Sequence, residues 1–159
     1  MFILIYRYLA WTDPQPLSRG EQMQIDCGHL PSIDYEGIAR KLYMLVVIKS
    51  HSRRFFLYFS HSQKQEYLHM GLLQAFTHFG GTPPTLLGDN MLTEVTELVG
   101  GVIRFNESFL DFLRSFNITP KACNVRAPQE KGKVESVIKY VRQNFIPLRT
   151  FQNLHEIKE

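Results

Sequence analysis

The sequence is poor in the groups that serve the commoner kinds of enzyme. It has two cysteines, Cys27 and Cys123. That is too few for a disulfide framework and fits a reducing compartment, where such residues serve as small buried hydrophobes. Its histidines (His29, His51, His61, His69, His78 and His155) show no HxxxH or HExxH spacing, which removes the usual zinc-hydrolase arrangement. No GxxxxGK[ST] occurs, so nothing supports ATP hydrolysis. Internal repeats and low-complexity tracts are also missing. The apolar N-terminus, MFILIYRYLAW, is broken by Arg7 and lacks a preceding basic segment. It falls well short of the ~20 residues that span a bilayer. It reads as a strand or packing arm, with no membrane partner and a cytoplasmic location expected.

What is present describes a folded domain with an uneven charge. The chain has 159 residues, 44% hydrophobic and 13% aromatic, enough for one domain with a real core and too apolar for disorder. The net charge is +3. From Arg114 to Arg149, however, eight Lys/Arg face two acids, whereas from Met1 to Leu113 nine bases face eleven acids. Such asymmetry points to a basic face for a polyanion; a merely solvated basic helix is the plainer reading.

Along the chain, Trp11 to Gly20 holds two prolines and a glycine and reads as a loop. EQMQID alternates, with Met23 and Ile25 on one face and Asp26 on the other, as in a half-buried strand. KLYMLVVI is a near-continuous apolar run suited to a central strand, and RRFFLYF is aromatic and β-prone. Short links favour an antiparallel meander. A helix follows, with Ser62 and Gln65 as a capping box and Gly80-Gly81 as its stop. TLLGDN reads as a short buried strand ending in Asp89, and Leu92 to Val99 as a brief helix stopped by Gly100-Gly101. Asn106 caps a further helix, and ITPKAC reads as an edge strand because of Pro120. In the last helix, Val134, Ile138, Val141 and Phe145 form the buried stripe; Lys131, Glu135, Lys139 and Arg142 form a charged stripe beside it. The order β-β-β-α-β-α-α-β-α predicts an α/β domain, a mixed five-stranded sheet flanked by helices.

Three acids stand out. Asp26 lies on the polar side of the first strand, Asp89 at the end of an apolar strand, and Glu135 among cations on the last helix. Neighbouring strands with that helix packed across them would bring the three carboxylates together. Anions so placed repel and stay ionised together only around a cation. A purely oxygen set calls for Mg²⁺ or Mn²⁺, and two ions can activate a hydroxyl and stabilise a leaving oxygen at phosphorus. Each acid also has an ordinary reading: Asp89-Asn90 as a turn or cap, and Glu135 as the i,i+4 partner of Lys131 and Lys139.

GEQMQIDCG, FGGTPPTLLGDN and APQEKGKVESVIKYVRQNF resemble the three motifs of the catalytic core of IstA-type insertion-sequence transposases. These are DDE enzymes sharing the ribonuclease-H-like fold of retroviral integrases. The resemblance spans roughly Gly20 to Phe151 and implies three regions. Residues 1–19 are an arm or linker, 20–151 the catalytic core, and 152–159 the start of a truncated C-terminal region. It implies Asp26, Asp89 and Glu135 as the catalytic, metal-holding triad. Asn90, Arg126, Lys131, Lys133, Lys139 and Arg142 are the expected DNA contacts. It also implies metal-dependent DNA strand cleavage and transfer, transposon-end and target DNA as partners, a homo-oligomer on DNA and an IstB-type helper ATPase. Cys27 stands where the family often has an aromatic residue, and the interval from Asp89 to Glu135 exceeds that of integrases. Without a helix-turn-helix pattern, the chain is expected to be an excised core or a truncated product. A hydrolytic nuclease of the same fold and a non-catalytic DNA-binding remnant are the alternatives.

Overall fold

Two apolar faces of a single sheet dominate the chain, and each recruits its own helices. The computed structural model describes residues 22–35, 37–88, 95–99, 102–122, 128–147 and 149–158. In chain order the first elements are β1 (Gln22–Tyr35), β2 (Ile38–Lys49), β3 (Phe55–Ser60), α1 (Gln65–Phe79) and β4 (Thr85–Gly88). Then come β5 (Val95–Val99), β6 (Val102–Phe105), α2 (Glu107–Arg114) and β7 (Thr119–Ala122). The chain ends in α3 (Pro128–Tyr140), a π-helical turn (Val141–Phe145) and α4 (Leu154–Lys158).

The main sheet has five strands in the order β3-β2-β1-β4-β7. β1, β2 and β3 form the expected antiparallel meander, and β4 and β7 add in parallel on the other side of β1. The mixed five-stranded sheet is therefore as predicted. β7 sits at the edge, where Pro120 leaves no inner ladder bond unmade.

Alternation along β1 and β2 sends side chains to opposite faces. Met23, Ile25, Leu45 and Val47 pack with Leu72, Phe76 and Phe109 of α1 and α2. Leu42, Met44, Val46 and Ile48 pack with Val134, Val137, Ile138 and Val141 on the other face. The buried stripe expected of the last helix is thus present, with Phe145 half-buried beside Phe59. Ile157 of α4 is buried in the same cluster as α3.

Two glycines mark where helices lie closest to the sheet. A Cβ on Gly71 would meet Leu45 Cδ2 at 2.7 Å and Tyr58 Cδ1 at 2.9 Å, so α1 rests directly on β2 and β3. A Cβ on Gly28 would meet Ile138 Cγ2 at 2.8 Å, so α3 rests on β1 in the same way.

The structure departs from the sequence reading at three points. The segment expected as a helix from Leu92 to Val99 contains strand β5, which pairs antiparallel with β6 in a separate two-stranded sheet. Two adjacent glycines between β-branched runs are a hairpin signal as much as a helix stop, and here cross-strand pairing prevailed. α1 begins after Lys64 with no side-chain cap. The Ser62 hydroxyl instead accepts from Lys64 N at 3.2 Å, a local turn that takes the place of the expected capping box. β1 continues nine residues past Asp26, to Tyr35. Its register shifts between Leu30 and Ile33, a bulge that accommodates Pro31, which has no N–H to donate.

Glycine-to-alanine changes should have opposite signs at two helical sites. Gly132 in α3 has open space around it, so Gly132→Ala should stabilise by about 0.5–1 kcal/mol through helix propensity. Gly71→Ala carries the same propensity gain against an overpacking cost of about 1–3 kcal/mol and should be neutral to destabilising. Thermal or urea unfolding of the two variants checks the difference.

His69 on α1 stacks on Phe112 of α2, with centroids 4.3 Å apart and planes 3° from parallel. Its Nε2 is buried, with no hydrogen-bond partner among the described residues. Desolvation holds its pKa below the ordinary 6.5. The unfolded chain therefore binds this proton more readily, and the contribution is fully present above about pH 6.5 and lost as pH falls below it. His69→Phe should reduce the loss of melting temperature between pH 7.5 and pH 5 relative to wild type.

Candidate active site and nucleic-acid interface

Asp26 lies in the middle of the sheet's most central strand. It pairs with Val46 of β2, and directly opposed residues share a face. Val46 belongs to the cluster beneath α3, so Asp26 is on α3's side. Its carboxylate Oδ1 accepts a hydrogen bond from Cys27 N at 2.7 Å, and the residue is half-buried. Cys27 packs toward the opposite face, with the α1 cluster. Among the described residues no thiol therefore joins Asp26 on its own side.

Asp89 lies outside the described residues, as do Asn90 and Arg126. The residue before Asp89 is described. Gly88, the last residue of β4, pairs in parallel with Ile25. The chain neighbours of Asp26 and Asp89 are thus side by side, at a strand's carboxyl end where open α/β sheets place ligands.

Glu135 is exposed on α3, flanked by buried Val134 and Val137. The placement of α3 follows from two contacts. Ile138 fills the space left by the missing side chain of Gly28, and Arg142 Nη2 donates to the carbonyl of His29 at 2.7 Å. Helix and strand therefore advance together, Ile138 over Gly28 and then Arg142 over His29. Glu135 is one turn before Ile138 and about 60° around the helix from it. Asp26 is two residues before Gly28 on the same face. The same end of the α3–β1 contact thus holds both acids.

The cations divide. Lys139 is exposed on α3 and Arg142 on the π-helical turn that continues it; Lys131 and Lys133 belong to α3's first turns. Arg142, expected as a DNA contact, is also a strut between helix and strand. Sequence reasoning missed this bond and the Gly28–Ile138 contact. An isolated glycine within a strand pattern was the available signal for the second; none existed for the first, since the bond spans 113 residues. Among the described residues no three His, Cys, Asp or Glu side chains gather as a metal cluster, and no helix is long and apolar enough to cross a membrane.

Comparison with known proteins agrees with this frame. The chain is 36% identical over 138 residues to a putative transposase for insertion sequence element IS5376 from Geobacillus stearothermophilus, covering 87% of this chain and 34% of that one. It is 32% identical over 139 residues to the transposase for insertion sequence element IS21 from Pseudomonas aeruginosa, covering 87% and 35%. The chain thus spans about a third of the length of these curated relatives. In fold it is similar to a chain of the simian T-cell lymphotropic virus intasome in complex with PP2A regulatory subunit B56 gamma. The TM-score is 0.60 at 18% identity, over 88% of this chain and 47% of that one. At that identity the likeness shows the fold alone, the expected ribonuclease-H-like one. The Integrase core domain model matches residues 16–128, more than half of the sequence. The chain therefore belongs to the integrase core domain family, among the IstA-type insertion-sequence transposases.

Proposed function

We propose that this domain carries out metal-dependent DNA strand cleavage and strand transfer, with Asp26, Asp89 and Glu135 as its acidic triad. One observation carries the reading. The parallel register of Ile25 with Gly88 and the seating of α3 on Gly28 direct three segments, remote in sequence, toward one end of one sheet face. The family generally uses divalent metal ions. Asp26 and Glu135 offer carboxylate oxygens with Cys27 turned to the other face, a donor set that fits a pair of Mg²⁺ or Mn²⁺ ions better than zinc. Bound there with Asp89, such ions offset the repulsion among the acids and polarise a phosphodiester.

The chain's own groups supply position and charge. Asp26 is held by Cys27 N and by the central strand. Glu135 is carried by a helix anchored at Ile138 and, one turn on, by Arg142. Lys131, Lys133 and Lys139 of α3 and Arg142 of the π-helical turn after it offer charge to phosphates, with Asn90 and Arg126 as further contacts. Phosphate contacts orient the duplex and carry no sequence information. Selection of transposon ends therefore falls to parts of longer relatives beyond this core, and a homo-oligomer on DNA and an IstB-type helper ATPase complete the proposal. Residues 20–151 form the core in this reading, 1–19 precede it as an arm, and 152–159 lead out of it. A cytoplasmic location accords with it.

Asp89→Asn or Asp26→Asn should abolish Mn²⁺-dependent joining of a pre-cleaved element-end oligonucleotide. Losing several kcal/mol of metal-assisted stabilisation corresponds to a fall of about 10²–10³-fold or more. Melting temperature in the absence of metal should hold or rise, because one of three repelling charges is gone. Unfolding by either change would make that aspartate a structural residue and sink its catalytic role. Hydrolysis without joining would favour the nuclease alternative.

Replacing Lys131 and Lys139 together by Gln avoids the strut at Arg142. It should lower the slope of log affinity against log salt by up to about two units and weaken all duplex sequences alike. Fluorescence anisotropy across a salt series measures it. An unchanged slope would leave these lysines as partners of Glu135 only.

A further inference from the structure

The turn from β2 to β3 carries Lys49, His51, Arg53 and Arg54 within six residues, in the half of the chain that is otherwise net acidic. Among the described residues no carboxylate pairs with Lys49, Arg53 or Arg54. The turn is rigid. Lys49 N donates to Arg54 O at 2.8 Å, Arg53 N to Lys49 O at 3.0 Å, and Ser50 N to Gln22 O at 3.1 Å. Lys49 Nζ lies 5.1 Å from the centroid of the Phe79 ring, which holds that charge against the end of α1.

Arg53 closes the turn at φ 60°. Asn117 is the other non-glycine residue with positive φ among the described residues, and asparagine adopts that region readily. Arginine does not, and glycine or asparagine would close such a turn with less strain. Strain held at an arginine with no carboxylate partner among the described residues marks this turn as a place where the guanidinium is used.

We propose that the Lys49–Arg54 turn is a second phosphodiester-binding site, which grips the DNA backbone away from the acidic cluster. This rests on the DNA reading above. Met23 pairs with Lys49 and Asp26 with Val46, so the turn begins about 10 Å from Asp26 along the strands. At about 3.4 Å of duplex axis per phosphate on each strand, that is roughly three base steps. Lys49 lies with Met23 on α1's face and Asp26 on α3's, so a duplex would meet Arg53 and Arg54 where it passes the end of the sheet. Their role is to fix its direction of approach.

The test uses the full chain and a labelled duplex without metal, so that binding is read apart from catalysis. Arg53→Gln/Arg54→Gln should lower the salt slope by up to about two units, as two lost phosphate contacts require. Arg53→Gly relaxes the backbone and removes the guanidinium together. It should weaken duplex binding several-fold while melting temperature holds or rises. An unchanged slope in the double variant, or wild-type affinity in Arg53→Gly, would overturn the site. So would a fall in melting temperature that accompanies lost binding, because Arg53 would then be structural. If the wild type binds no duplex, the DNA reading fails and this site with it. If Lys131 and Lys139 govern the slope and the turn does not, the second site fails alone.

Discussion

The contact of Ile138 with the bare backbone of Gly28 is the constraint on which the site depends. Any side chain at Gly28 would press on Ile138 Cγ2 and lift α3 from β1. Glu135 travels with that helix and is exposed; α3, rather than contacts of its own, sets its distance from the sheet. The bond from Arg142 to His29 secures the next turn. Between them they fix α3, and Glu135 with it, over the strand that carries Asp26.

Such an arrangement needs a frame whose stability owes nothing to the acids. Carboxylates brought together without a cation repel, so the energy that assembles them must come from elsewhere. It comes from apolar burial on both faces of β2, where Leu42, Met44, Val46, Val47 and Ile48 are almost fully buried. Burying each such side chain stabilises by about 1.5–3 kcal/mol. Parallel pairing of β1 with β4 adds the register that sets Ile25 beside Gly88.

The cationic groups are organised differently. Those on α3 share the helix with Glu135. Those on the β2–β3 turn are concentrated on a short rigid loop without carboxylate partners among the described residues. The basic groups thus fall in two places rather than one.

The sequence by itself determined which segments form the main sheet and which stripe of the last helix is buried. Period-two and helical spacing are local properties, and burial follows them directly. Pro120 at an edge and Gly80 as a left-handed cap at φ 72° were legible for the same reason. Tertiary structure decided the rest. The VTELV segment became a strand because a partner, VIRF, was available to pair with it. Pro31 stayed within β1 because a bulge absorbed it. Side chains 113 residues apart, Arg142 and His29, met through a helix crossing a strand. No window of sequence contains such a meeting, because its energy depends on a second segment whose position is set by the packing of the whole core.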